Sequence, residues 1–210
     1  MLGLFTRERG LLSAAARGAR KASSKLGALE PLHTLRVSLE LSSQSDVAKL
    51  REARIERARL GLLEQADRLE AASRLLRLAR SVLAPAVPEP AAFDRLEADL
   101  EQLDAALPGQ VAAVAARAGA NLIGALGYGL DLSACVRCGT ACPPASSALV
   151  DPSAGGLVCR ACGGGPVLLR AADRETLLRF LAGEGDLPEP LVALLVRLVD
   201  ALVEGHAPVR

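Results

Sequence analysis

Residues 34–41, TLRVSLEL, alternate without a break: Leu35, Val37, Leu39 and Leu41 fall on one face, Arg36, Ser38 and Glu40 on the other. A period of two predicts a half-buried β-strand. Shorter runs at 2–6 (LGLFT), 11–17 (LLSAAAR) and 47–55 (VAKLREARI) read as strands as well. RERG at 7–10 and SSQSD at 42–46 carry the residue types of turns. The front of the chain, residues 1–56, is therefore predicted to be a small antiparallel β domain.

From about residue 57 the period lengthens to that of a helix, and residues 57–210 are predicted to form a helical domain. ADRLEAASRLLRLARSVL places Leu69, Ala72, Leu76 and Leu83 on one stripe and pairs Glu70 with Arg74 four residues on. Pro85, Pro88 and Pro90 end it. A second helix is predicted from Phe93 to about Leu107, stopping at Pro108–Gly109. A third covers 110–126 and stops at Gly127–Tyr128–Gly129. A short helix begins near Asp173 and runs through Leu181. The last is capped by Asp186, with Pro188 and Pro190 in its first turn, and stops at Gly205. Its stripe is Leu191, Leu194, Leu195, Leu198 and Leu202. All these stripes read as bundle core. There is no internal repeat and no low-complexity tail.

At 210 residues, half of them hydrophobic, the chain can bury a proper core. Three Phe, one Tyr and no Trp mean that Leu, Val and Ala must build it. The net charge of +1 says little, but its distribution says more. Residues 1–36 hold seven basic side chains (Arg7, Arg9, Arg17, Arg20, Lys21, Lys25 and Arg36) against Glu8 and Glu30. That charge belongs to the β domain. No uncharged run reaches the roughly 18 apolar residues of a spanning helix. In MLGLFTRERG the charges arrive too early for a signal peptide. A cytoplasmic location is the expectation.

Between the third and fourth helices lies CVRCGTACPPASSALVDPSAGGLVCRACGG. Cys135 and Cys138, then Cys159 and Cys162, form two Cys-x-x-Cys pairs, each closed by a glycine, Gly139 and Gly163. In a reducing compartment such pairs read as a metal site sooner than as disulfides. Four thiolates suit zinc, and glycines in positive φ let each turn present backbone N–H groups to sulfur. Arg137 and Arg160, one in each turn, can offset the charge of a four-thiolate centre. The expectation is one structural zinc in an element at 133–166. With four protein donors no position stays open for water, so the metal is not catalytic. The alternatives are buried reduced thiols and a thiol–disulfide enzyme. The latter needs a Cys-x-x-Cys opening a helix after a strand, whereas the flanks here are Pro, Gly and Ser. Cys142 reads as a bystander, with replacement of Cys138 as its other possible role.

No catalytic set is expected. GGGP at 163–166 lacks the lysine of a phosphate loop, and no dinucleotide fingerprint occurs. His33 and His206 stand in no motif. A binding protein is the better class.

Two stretches resemble the RecO family of bacterial recombination mediators. LFTRERGLLSAAARGARKASSKLGALEPLHTLRVSLE is similar to that family's OB-fold passage, and LIGALGYGLDLSACVRCG to its leucine-rich helix, Gly-Tyr and first Cys-x-x-Cys. SAGGLVC before the second pair resembles the metal-binding branch. The resemblance implies an α+β protein: an N-terminal antiparallel OB-like β-barrel, then a helical domain with an inset four-cysteine zinc element. It implies binding to single- and double-stranded DNA, annealing of complementary strands, and partnership with RecR and with the C-terminal tail of single-strand-binding protein. It also implies help in loading RecA onto coated strands, with no ATP needed. Where the family often has lysines after the turn glycine, this chain has Leu11, Leu12 and Ser13. Arg17 holds the Arg-Gly position and is the leading DNA contact, followed by Arg20, Lys21, Lys25 and Arg7. Arg74, Arg77 and Arg80 are a candidate for the acidic tail.

An OB fold has five strands, and four are counted here. The resemblance implies a further strand ahead of 2–6, hence about 15–20 residues upstream of Met1. The alternative is a shortened barrel whose edge, with Leu2, Leu4 and Phe5, is covered. The residues themselves also leave open an RNA-binding or transcription-associated zinc module and a scaffold that binds no DNA.

Overall fold

The computed structural model describes residues 1–16, 29, 31–42 and 45–206. The chain divides into two compact units, Met1–Ala106 and Leu107–Arg210, which are taken in turn.

The first unit opens with strands β1 (Leu2–Thr6), β2 (Gly10–Ala15), β3 (Thr34–Ser42) and β4 (Ser45–Arg57). All four lie where the alternation predicted them, and β4 runs longer at both ends. They form one sheet in the order β1-β2-β4-β3. β1–β2 and β3–β4 are antiparallel hairpins, but the two join through a parallel pairing, Ser13 to Val47 through Ala15 to Lys49. Among the described residues β1 and β3 are edges, and the sheet does not close. Its buried core is thin: Ala14, Ala48, Leu50 and Ala53, with Leu2, Leu4, Val37 and Leu39 half-buried around them. Leu41, expected on the inner face, is exposed near the hairpin tip.

Helices α1 (Gly61–Glu64), α2 (Ala66–Val82) and α3 (Pro90–Ala105) complete this unit. The stripe of α2 is rotated from the predicted one. Ala72, Leu75 and Ala79 are buried, while Leu69 is 37% exposed. The inward face is thus Ala72, Leu75, Ala79 and Leu83, which keeps two of the predicted residues and shifts the rest around the helix.

Sheet and helices are tied by specific contacts. Phe5 of β1 meets Phe93 of α3 edge-on, with centroids 5.5 Å apart. Arg59, only 2% exposed, donates to the Leu32 carbonyl at 2.9 Å, Thr34 Oγ1 at 3.0 Å and Glu97 Oε1 at 3.0 Å. Its backbone N–H donates to His33 Nδ1 at 3.2 Å. Arg68 reaches the end of α3, donating to the carbonyls of Asp104 at 2.8 Å and Ala106 at 2.6 Å. The start of β2 lies against 85–87: the Ala86 N–H donates to the Leu11 carbonyl at 2.9 Å.

The second unit contains α4 (Val111–Ala125), then β5 (Asp131–Cys135), β6 (Ala148–Asp151), β7 (Gly156–Leu157) and β8 (Val167–Leu169), then α5 (Ala171–Leu181) and α6 (Glu189–His206). The cysteine segment, expected as turns alone, holds a second four-stranded sheet in the order β5-β7-β6-β8. Its strands are too short, two to five residues, for alternation to show. α6 buries Leu191, Leu195, Leu198 and Leu202 as predicted. It starts at Glu189 rather than at Asp186: the Pro188 carbonyl accepts from the N–H groups of Leu191 and Val192.

Gly10 provides a test of the packing in the first unit. Its φ is +66°, and a Cβ there would stand 1.9 Å from the Val87 carbonyl oxygen. Gly10→Ala is expected to lower unfolding stability by at least about 2 kcal/mol through left-handed strain and overpacking. Gly3→Ala, whose nearest neighbour would be an Arg80 nitrogen at 3.8 Å, is expected to change it little. Denaturant midpoints compare the two.

Candidate metal centre

β5 and β7 pair in parallel, Asp131 opposite Gly156 and Cys135 opposite Leu157. Parallel strands end on the same side of a sheet, so the turns that follow them meet. Cys135 closes β5, and Cys159 comes two residues after β7.

In the first turn the Gly139 N–H donates to the Cys135 carbonyl at 2.8 Å, and the Cys135 N–H to the Thr140 carbonyl at 2.9 Å. In the second, a short 3-10 turn at Arg160–Cys162, the N–H groups of Cys162 and Gly164 donate to the Cys159 carbonyl at 2.9 and 3.0 Å. Gly139 and Gly163 leave their turns with φ of +73° and +106°. These are the left-handed exits that the sequence anticipated.

The sulfurs of Cys135, Cys138, Cys159 and Cys162 all lie within 4.8 Å of one another. Cys138 and Cys159 are 3.7 Å apart, well beyond a disulfide bond. Four sulfurs about 2.3 Å from a central ion stand about 3.8 Å apart, so the spacing is compatible with a tetrahedral metal site. Cys142 is outside this group.

The electrostatics agree. The Cys159 N–H donates to Cys135 Sγ at 3.3 Å and is the first cause that pulls the Cys135 thiol down to about 6. Thr140, whose Oγ1 is 3.3 Å from Cys138 Sγ, draws that thiol down too. Cys162, hydrogen-bonded among the sulfurs of Cys159 and Cys138, is pushed up to about 12. Sulfurs packed this closely compete for negative charge, and only a cation lets all four ionise.

Arg137 does not spend its donors on sulfur. Its Nη1 donates to the Cys162 carbonyl at 2.8 Å and its Nη2 stands 3.7 Å from Asp151 Oδ2, so it brackets the two turns. Arg160 is exposed. The residue that sequence reasoning missed is Arg174 of α5. It reads as one more surface arginine in AADRETLLRF but is buried beneath the first turn. Helical periodicity gives the signal in hindsight: Arg174, Leu177 and Leu181 share a spacing of three and four.

Of the expected DNA contacts, Arg17, Arg20, Lys21 and Lys25 lie outside the described residues. Arg7 is described: its Nε and Nη2 donate to the two carboxylate oxygens of Asp94 at 2.8 and 3.0 Å. No described helix is long and apolar enough to cross a membrane.

These units define a class first: an α+β protein in which a β-sheet with helices is followed by a helical unit carrying an inset pair of cysteine knuckles. Comparison with known proteins makes it particular. The model of the recombination protein O N terminal matches residues 1–59, and that of the recombination protein O C terminal matches residues 63–208. The DNA repair protein RecO of Anaeromyxobacter dehalogenans (strain 2CP-C) is 35% identical over 198 residues, covering 90% of this chain and 76% of its own. That of Synechococcus sp. (strain WH7803) is 30% identical over 229 residues, covering 99% and 83%. That of Pelobacter propionicus is 33% identical over 183 residues, covering 87% and 71%. The chain belongs to the RecO family of DNA repair and recombination proteins.

Two carboxylates brace the cysteine element. Asp131 is partly buried, which raises its pKa, but donation from the Ser133 hydroxyl and from the N–H groups of Ser133 and Ala134 outweighs this and lowers it. The Ser153 hydroxyl is the main cause that lowers Asp151. Depressed carboxylates stabilise fully above their unfolded-state value, ordinarily 3.8 here, and lose that contribution as pH falls through the lower folded values. Protection of the amides across 131–134 and 151–154, measured against their intrinsic exchange rates, is therefore expected to fall below about pH 4. Asp131→Asn should be less stable at neutral pH and less acid-sensitive.

Proposed function

We propose that this chain is a DNA repair and recombination mediator without catalysis of its own. It binds single- and double-stranded DNA, anneals complementary strands, and with RecR and the tail of single-strand-binding protein helps to load RecA. The carrying observation is that both halves of the chain match the two halves of the RecO family in order. Neither Cys-x-x-Cys opens a long helix: one turns back into a hairpin, the other begins a three-residue turn. That geometry disfavours thiol–disulfide chemistry. Arg74, Arg77 and Arg80 are exposed along α2 and remain the candidate for the acidic tail.

The metal in this reading is one zinc held by Cys135, Cys138, Cys159 and Cys162. Bound there, it supplies fixed geometry and charge neutralisation. Such sites bind with roughly 10–16 kcal/mol of apparent affinity. Purified protein is expected to carry one zinc per chain and to keep it in Cys142→Ser. Cys159→Ser should lose it and locally unfold. Metal content by elemental analysis decides, and full zinc in Cys159→Ser would overturn the ligand set.

The DNA reading rests on charge. The described basic residues of the β3–β4 face are matched: Arg36 with Glu56, Lys49 and Arg51 with Glu40, Arg54 with Glu52, Arg57 with Glu101. By contrast the stretch 17–29, RGARKASSKLGAL, has four basic residues and no carboxylate. Phe5 is engaged with Phe93, so base stacking on it has no support, and phosphate contacts must dominate. Replacing Arg17, Arg20 and Lys21 by Glu is expected to weaken single-strand binding equally on all sequences. The salt slope should flatten by about 2, from about 0.7 per lost phosphate contact. Arg54→Gln should do little. Fluorescence titrations across a salt series read both, and an affinity indifferent to salt would contradict the account.

A further inference from the structure

Arg174 is the fourth residue of α5 and is 5% exposed. Its Nε donates to the Leu132 carbonyl at 2.9 Å, Nη2 to the Cys142 carbonyl at 2.9 Å, and Nη1 to the carbonyls of Pro143 and Ser146, both at 3.0 Å. No carboxylate pairs with it among the described residues. A charge is taken out of water here to gather four backbone oxygens, an arrangement that only a planar fork with five N–H groups can satisfy.

The oxygens it gathers are not random. Leu132 precedes the first cysteine turn and Cys142 follows it. Between them the chain folds as a narrow hairpin. The Cys142 N–H donates to the Ser133 carbonyl at 2.8 Å, Ala134 bridges Ala141, and the Cys135 N–H reaches Thr140. Arg174 therefore closes the base of the hairpin whose tip carries Cys135 and Cys138, and it roots that base on α5. This also gives Cys142 a place: its backbone, not its sulfur, belongs to the centre.

We propose that Arg174 is the positioning residue of the metal centre, presetting the first Cys-x-x-Cys before a metal arrives and coupling metal occupancy to the α5 helix. The inference rests on the metal reading above. Without the clasp, four backbone carbonyls, that of buried Leu132 among them, lose their donor and the hairpin base frays, so metal binding must also order it. Outer partners of metal ligands typically change affinity about 10–100-fold, and that is the range expected. Coupling is reciprocal, so metal should raise the thermal stability of the wild-type chain more than that of a variant without the clasp.

The test uses the full chain as wild type, Arg174→Met and Arg174→Lys. Cobalt(II) alone is the first probe, since its thiolate absorption counts sulfur ligands, and zinc competition then gives affinity. Helical circular dichroism follows folding. Expected are one four-sulfur site in each folded protein, weakening of about 10–100-fold in Arg174→Met, an intermediate loss in Arg174→Lys, and a smaller metal-dependent thermal shift in both. Wild-type affinity and thermal shift in folded Arg174→Met would overturn the proposal. If Arg174→Met does not fold, Arg174→Lys decides by the same two readouts: weaker binding with a reduced shift supports it, wild-type values refute it. A wild-type chain that gives no four-sulfur cobalt spectrum would instead remove the metal reading beneath it.

Discussion

The parallel pairing of β5 with β7 is the constraint on which the cysteine element depends. Antiparallel strands would send the two Cys-x-x-Cys turns to opposite ends of the sheet. Parallel ones release both at the same end, and four sulfurs then gather within 4.8 Å. Yet β7 has only two residues, so the pairing cannot hold itself. β6 supports it by pairing with β7 on one side and β8 on the other, and Val150 of β6 is fully buried. The 3-10 turn between β6 and β7 packs under α6, where Gly205 lies against Ser153. Arg174 fixes the hairpin from below. A sheet this small borrows its stability from the elements packed around it, and its four clustered thiols are compatible with a metal that would add to this.

The same economy appears in the first unit. A chain with four aromatic residues has few large rings with which to tie layers together, and the Phe5–Phe93 contact is joined by other links. Arginine takes that part: a long side chain with a rigid fork spans the gap that Ala and Leu leave and satisfies the carbonyls exposed at chain turns. Arg59 joins the entry of β3 to α3, and Arg68 joins α2 to the end of that helix. The cost is visible as well. The Nε atoms of Arg59 and Arg68 are buried without an acceptor among the described residues, a penalty of about 1–3 kcal/mol each. Such latches hold geometry more than they add stability.

Legibility in the sequence followed the length scale of each feature. The strands of the first sheet and the four long helices were readable because alternation and the helical period persist over several residues, and proline and glycine mark their ends. The four cysteines and their glycines were readable because the chemistry demands that spacing. The second sheet was not, since two to five residues are too few for a period. The turned stripe of α2 was not, because apolar residues stand on both sides of the Ala72–Leu83 line, and the period alone does not say whether Leu69 and Leu76 or Leu75 and Ala79 complete it. Arg174 was missed for a related reason: composition alone does not distinguish an arginine in water from one that donates to carbonyls drawn from 28 to 42 residues away.

The paired charges on the β3–β4 hairpin bear on how a nearly neutral chain distributes its charge. Arg36, Lys49, Arg51, Arg54 and Arg57 stand beside carboxylates in the same hairpin or on α3. Exposed pairs of this kind add about 0–1 kcal/mol each to stability, too little to explain the regularity by folding alone. Their stronger effect is on the field. A guanidinium next to a carboxylate projects little potential beyond a Debye length of about 10 Å, so a polyanion approaching this face meets near-neutral ground. Arg7 is offset in the same way by Asp94. The charge of residues 17–29 has no such local partner in sequence. The net of +1 over the whole chain thus conceals an uneven distribution along the sequence: the basic residues of β3 and β4 stand beside carboxylates, while 17–29 holds four basic residues and no acidic one.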